Sequence, residues 1–167
     1  MKTQKGVLFN DICFKTNNGY SCQIDHVFIS TKGIFVIETK NFTGSINASE
    51  NWKDWVHFVG HNKYYIYSPF EQNRSHVRHL TNVLGSQHFE NFVVFTNNRF
   101  RVNTESTRIL KLKKFKKVFK RKLKEPDKYT KKDVQTLSKK LKDFLKENSV
   151  SSKEHVSYVK SIKKKAY

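Results

Sequence analysis

"IDHVFISTKGIFVIETKN", Ile24 to Asn41, reads as two β-strands folded back on each other, with Ser30-Thr31-Lys32-Gly33 as the turn. Its apolar residues suit a sheet interior, yet it also carries Asp25, Glu38 and Lys40, charges that such an interior normally rejects. Side chains alternate along a strand, so Ile34, Val36, Glu38 and Lys40 share one side while Phe35, Ile37 and Thr39 share the other. Asp25 lies five residues before Ser30 and Glu38 five after Gly33, so a tight hairpin sets the two carboxylates roughly opposite each other.

Two adjacent acids in a partly dry sheet raise one another's pKa, and burial adds to the effect. A divalent cation resolves the conflict. Mg²⁺ suits the place, with Mn²⁺ as the alternative, because it favours oxygen ligands, keeps several waters and is commonly held by one or two carboxylates together with a substrate phosphate. Such an ion activates water and neutralises charge building on a scissile phosphate, and Lys40 would orient the water or stabilise the pentavalent state. The chemistry suggested is phosphodiester hydrolysis. The other reading is an ordinary ion pair between Asp25 and Lys40 on a solvated face, with Glu38 at its rim. A D…ExK pattern alone does not separate the two.

Working outward, "GVLFNDICFK" and "SCQIDHVFIS" flank an "NNGY" turn, so three antiparallel strands follow in succession. The aromatic stretch "GSINASENWKDWVHFVGHNKYYIYSPF" is punctuated by Gly, Asn and Ser and reads as short strands or loops crossing a sheet edge. In "FEQNRSHVRHLTNVLG" the period changes: Val77, Leu80 and Leu84 have helical spacing and Gly85 ends the element. "NFVVFTNN" is a short apolar strand. Sheet, helix and strand together predict an α/β sandwich around a central mixed sheet.

Further on, "TRILKL" is either another strand or the entry to a helix. "KFKKVFKRKL" and "TKKDVQTLSKKLKDFLKEN" are helical, with Phe115, Val118, Phe119 and then Val134, Leu137, Leu141, Phe144, Leu145 at apolar positions. Thr130 with Asp133 resembles a capping box, and Glu125-Pro126-Asp127 breaks the two helices apart. "SSKEHVSYVKSIKKKAY" forms a short helix or frays.

The 167 residues suit one domain plus an appendage. Their 33 Lys+Arg against 14 Asp+Glu give a net charge of +19. Residues 1–107 contribute +3 of this and residues 108–167 the remaining +16, which divides the chain into a core and a Lys-rich, mostly helical portion that completes or extends it. A surface this positive seeks a polyanion, nucleic acid first. Keeping the protein soluble or near anionic lipid is the alternative use of such a tail. Lys113, Lys114, Lys116, Lys117, Lys120 and Arg121 would lie along a phosphate backbone, giving strongly salt-dependent binding without base readout. Arg74 and Arg78, at i, i+4 on the preceding helix, are further phosphate contacts or solvated charges.

Cys13 and Cys22 are too few for a disulfide framework and lack zinc-site spacing. The start of the chain has no signal-peptide pattern, and no apolar run is long enough to span a bilayer. A soluble, cytoplasmic protein is expected.

"QIDHVFIS", "GIFVIETKNFTGSI", the Trp52/Trp55 region and "YSPFEQNRSHVRHL" resemble successive blocks of the nuclease-related (NERD) domain, a branch of the PD-(D/E)XK nuclease superfamily. The likeness runs from about Val7 to Phe95 and extends towards "YTKKDVQTLSKKL". It implies a restriction-endonuclease-like α/β/α core with the active site where strands diverge. On that resemblance Asp25 is the metal-binding Asp, Glu38 and Lys40 the Glu and catalytic Lys of the ExK element, and Thr39 a carbonyl ligand to the metal. Gln72 corresponds to a Gln at the start of the next helix that contacts phosphate or the attacking water.

One departure is that family members usually carry a helix before the first strand, often bearing a Glu that helps complete the site, whereas only Met1 to Gly6 stand there in this sequence. A sheet face exposed by that missing helix would be covered by the C-terminal helices, a second copy forming a homodimer, or another partner. The activity implied is metal-dependent hydrolysis of nucleic acid, DNA before RNA. The alternative is a catalytically silent nucleic-acid-binding adaptor.

His26 points away from Asp25 and reads as packed or hydrogen-bonded. His76, one helical turn beyond Gln72, either shares its face near the substrate or lies on the surface. His57, His61, His79, His88 and His155 show no ligand spacing. Trp52, Trp55, Tyr64, Tyr65 and Tyr67 either stack on single-stranded bases or, the commoner use, pack a sheet edge.

Overall fold

Apolar strands separated by short turns fold back on each other, and the first three elements do so in order: β1 (Val7–Lys15), β2 (Ser21–Ser30) and β3 (Gly33–Lys40). The computed structural model describes residues 6–16, 18–151 and 153–158. β7 (Phe89–Phe95) then pairs parallel with β3, and β9 (Ile109–Lys111) parallel with β7, giving a five-stranded mixed sheet in the order β1-β2-β3-β7-β9. "TRILKL" is therefore a short strand followed directly by a helix.

The β1 and β2 strands depart from simple alternation. Phe9 and Ile12 on β1, and Ile24 and Val27 on β2, are all buried in one cluster although each pair is three residues apart. Both strands therefore exchange faces at Asn10-Asp11 and Asp25-His26. The β1–β2 ladder pairs Asn10 with His26 and then Ile12 with Ile24, passing over Asp11 and Asp25, and Asp11 adopts a φ of 50° that short polar side chains tolerate.

Helices cover both faces. α1 (Pro69–Leu84) is capped by the Ser68 hydroxyl, which accepts from Glu71 N, and has Pro69 in its first turn. α3 (Lys131–Asn148) carries the full Thr130/Asp133 capping box. Leu80 and Leu84 of α1 and Val134, Leu137 and Leu141 of α3 pack on Val27, Ile29, Ile34 and Val36. α2 (Leu112–Lys122) lies on the other face, where Val118, Phe115 and Phe119 meet Phe35, Ile37, Phe92 and Val94. Because 34 and 36 alternate with 35 and 37 along β3, the two helix layers lie on opposite sides of the sheet. Burying each such apolar side chain stabilises by about 1.5–3 kcal/mol.

The aromatic stretch forms more than an edge crossing, which corrects the expectation of one central sheet. β4 (Ser45–Asn47), β5 (Asp54–Val59) and β6 (Asn62–Tyr67) join β8 (Arg101–Asn103) in a second mixed sheet, ordered β6-β5-β4-β8. Its inner side places Ile46 and Trp55 against Phe70, Val93, Phe95 and Phe100. Gly44, at φ 86°, lets the backbones touch: a Cβ there would lie 1.9 Å from Phe58 O.

Residues 1–5 lie outside the described part. Of the last segment, residues 153–158 are helical, and the remainder to Tyr167 also lies outside it. No helix among the described residues is long and apolar enough to cross a membrane.

Candidate functional site

The β2–β3 ladder runs from Ser30–Gly33 to His26–Ile37 and stops. The next residues in register are Asp25 and Glu38, so the acids face one another where the strands part. Asp25 takes over from the lost ladder: its Oδ2 accepts from Thr39 N at 2.8 Å and Thr39 Oγ1 at 2.6 Å. The N–H and C=O of one strand residue leave on the same side, so the Thr39 carbonyl also points towards the gap left by β2. β2 and β3 thus open into a cleft of about 510 Å³ lined by Asp25, Glu38, Thr39, Lys40 and Gln72 among others.

α1 supplies the opposite wall. Buried Asn73 donates Nδ2 to Val36 O at 2.9 Å, Phe92 O at 3.0 Å and Asn91 Oδ1 at 2.7 Å, latching the helix to β3 and β7. That latch fixes the rotation of α1, and its neighbour Gln72 and His76 one turn later both reach the cleft. Lys40 Nζ donates to Glu38 Oε1 at 2.6 Å and to Gln72 Oε1 at 3.3 Å.

Glu38 is only 3% exposed, and burial raises its pKa, with Asp25 adding to the rise and Lys40 opposing it. Its Oε2 is buried without a hydrogen-bond partner. His76 Nε2 stands 3.7 Å from that oxygen, too far for a hydrogen bond. Burial, reinforced by His79, pushes His76 down to about 4, so the ring is neutral at pH 7 and the contact is not an ion pair. On its other side His76 Nδ1 meets Cys22 Sγ at 3.3 Å. Burial, with Cys13 and Glu38 adding, pushes Cys22 up to about 12, so this thiol stays protonated and is not a nucleophile.

The donors suit a hard cation. Among the described residues no group of three or more His, Cys, Asp or Glu side chains is arranged to hold a metal. Two carboxylates and a carbonyl are an all-oxygen set that leaves room for water, the coordination Mg²⁺ accepts, and the orphaned Glu38 Oε2 has a bond to give.

The remaining sequence candidates lie elsewhere. Arg74 donates to Glu71 and to Glu50 O, and its guanidinium lies 5.5 Å from the Phe70 ring, while Arg78 is exposed; neither lines the cleft. Lys113, Lys114 and Lys117 line a groove with Asn98 and Lys111, and Lys116, Lys120 and Arg121 are exposed. All six lie on α2, across the sheet from the acids. His26 bonds Asn10 Oδ1 at 2.8 Å. Trp55 is fully buried and serves packing, whereas Trp52, Tyr64, Tyr65 and Tyr67 are exposed.

Several cleft residues were not placed at the acidic site by the sequence: Ser21, Cys22, Tyr67, Ser75, His79 and His155. Cys22 arrives through the face exchange in β2. His155 arrives through a hydrogen bond of 2.8 Å to Ser21 Oγ across 134 residues. Only the position of His79 on the α1 pattern offered a clue.

A model of the family described as nuclease-related domain matches residues 1–96. The chain is also similar to an uncharacterized protein of Bacillus anthracis, 35% identical over 71 residues, which is 42% of this chain and 34% of that protein. The chain thus spans about a third of that relative's length. No solved structure matches it.

Proposed function

The chain belongs to the nuclease-related domain family, and from that premise we propose that it is a metal-dependent nuclease of the PD-(D/E)XK type, with DNA the first substrate, built on a restriction-endonuclease-like core. The observation that carries this reading is the pair Asp25 and Glu38, in register where the β2–β3 ladder ends and open to one cleft with Lys40 and Gln72. Asp25, Glu38 and the Thr39 carbonyl would hold Mg²⁺ or Mn²⁺. When bound, the ion supplies an activated water and charge neutralisation at the phosphate. Lys40 places a cation beside the phosphoryl oxygens, and Gln72, fixed by the Asn73 latch, orients the water or the phosphate. Exposed lysines and arginines draw the polyanion to the surface.

A second reading, a catalytically silent binding module of the same fold, is favoured by one contact: Lys40 Nζ closes on Glu38 Oε1 at 2.6 Å, the carboxylate a metal would need. One experiment separates the two. Labelled single- and double-stranded DNA and RNA are incubated with the protein in Mg²⁺, in Mn²⁺ and in chelator, beside Glu38→Ala and Lys40→Ala. Metal-dependent cleavage lost in both variants supports the nuclease. Binding without cleavage supports the silent module, and cleavage undiminished in both variants overturns the assignment of the site.

A further inference from the structure

The second sheet has an outward face that the core does not use. Across β5 and β6, Tyr67 pairs with Asp54, Tyr65 with Val56 and Lys63 with Phe58. β4 then sets Ser45 beside Phe58 and Asn47 beside Val56, and β8 continues the rows with Arg101 and Asn103. Strand alternation puts these residues on the side away from Ile46, Trp55 and Ile66, which face the core. Tyr65 is 70% exposed and Tyr67 54%, and Lys63, Arg101 and Asn103 are exposed with them. Lys63 Nζ stands 4.9 Å above the Tyr65 ring. Tyr67 also lines the acidic cleft, so the face runs directly into the candidate site.

We propose that this face is a stacking platform for an unpaired nucleic acid strand, which it leads into the cleft, so that the substrate class is single-stranded. The word substrate rests on the nuclease reading; the binding does not. Every base has a π-face, and exposed aromatic rings hold successive bases whatever their sequence. Tyr65 and Tyr67 are two residues apart on one strand, about 7 Å, which leaves each ring room for its own base. Lys63 and Arg101 flank the rings with positive charge for the phosphates, in a chain whose net charge is +19. Asp54, beside Tyr67 where the face meets the cleft, keeps phosphates from settling there and leaves that end to the base. A duplex hides its base faces and offers these rings nothing.

The test is an anisotropy titration in chelator with a short labelled single-stranded DNA, an RNA of the same sequence and a DNA duplex. It compares the parent with the double variants Tyr65→Ala/Tyr67→Ala and Tyr65→Phe/Tyr67→Phe, with light scattering at the same concentrations and cleavage in Mg²⁺ on the same preparations. The alanine pair is expected to weaken single-strand binding about 30-fold while duplex binding changes less than about threefold, and the phenylalanine pair to keep parental affinity. Either sugar among the single strands supports the platform and identifies the polymer. Single-strand affinity within about twofold of the parent in the alanine pair overturns it. So does an equal loss for duplex, or a parental dimer that the alanine pair dissolves without loss of oligonucleotide binding, which would assign the face to a second copy. Tyrosine-dependent binding without cleavage removes the nuclease reading and leaves the platform; cleavage with tyrosine-independent binding does the reverse.

Discussion

The two faces of the five-stranded sheet carry opposite kinds of charge. On the α1/α3 side Glu38 is almost fully buried beside Asp25 and Lys40, in a cleft walled by two strands and a helix. On the α2 side Lys113, Lys114, Lys116, Lys117, Lys120 and Arg121 all stand in solvent above a mainly apolar contact, which Lys122 and Glu90 close with an ion pair of 2.9 Å. Buried charges interact strongly because little water screens them, whereas exposed ones act mainly on encounter and yield to salt. On the nuclease reading proposed above, attraction of a polyanion and chemistry on it would fall on different sides of one sheet, a separation that net charge alone does not reveal.

The largest effect that divides the faces is on cleavage. Glu38→Gln is expected to lower the metal-dependent rate by about 10²- to 10³-fold, whereas Lys113→Ala/Lys114→Ala/Lys117→Ala should change it less than about threefold at saturating substrate. A triple variant as inactive as Glu38→Gln would break the comparison. Next is the salt response. Plotting binding affinity against salt concentration, both logarithmic, the triple variant should flatten the slope by up to about 2.7 if each lysine meets one phosphate, and Glu38→Gln should leave it unchanged.

Thermal unfolding sharpens the contrast without any catalysis. Glu38→Gln takes from half-buried Lys40 the carboxylate it pairs with at 2.6 Å, and Tm in chelator should fall by about 2–5 °C. Millimolar Mg²⁺ should raise the parental Tm but not that of Glu38→Gln, because only the parent offers the ion its carboxylate. The same ion should leave the triple lysine variant as responsive as the parent.

The smallest expected effect is at the second sheet. Burial pushes the Glu50 carboxyl up, but bonds from Arg108 and Ser106, together with the Arg108 and Arg74 charges, outweigh it and hold the pKa below the usual 4.5. A depressed carboxylate stabilises the fold above its unfolded pKa, and that contribution disappears as pH falls through the folded value. Arg108→Ala should therefore cost about 1 kcal/mol at pH 7, and the gap between variant and parent should narrow below pH 4.5 in acid unfolding curves. A gap independent of pH would assign the role of Arg108 to packing on Phe70, whose ring lies 5.1 Å from its guanidinium.

How much of this was legible depended on range. Counting five residues on each side of the Ser30–Gly33 turn placed Asp25 opposite Glu38, because register in a tight hairpin is a local property. The helices of residues 69–84, 112–122 and 131–148 were legible from apolar period and caps, within two residues at most ends. The second sheet was not, because β4 and β8 are three residues long and pair across 56 positions, Ser45 with Arg101, too short for a period and too distant for a turn signal. Nor was the face exchange in β1 and β2, where alternation fails at Asp11 and Asp25 and brings Cys22 beside His76. The side of the sheet on which the lysines of α2 would lie depended on how Phe115, Val118 and Phe119 found their partners, which charge does not encode.

The ladder that ends at His26–Ile37 has a consequence for how this protein can vary. The acids owe their meeting to counting: the tight turn between β2 and β3 sets how many rungs precede the gap. Adding or deleting one residue at Thr31 or Lys32 would shift the hairpin by a rung and send one carboxylate through to the apolar floor under α2. Sequence drift in that short bend should therefore exchange one side chain for another while leaving its length untouched.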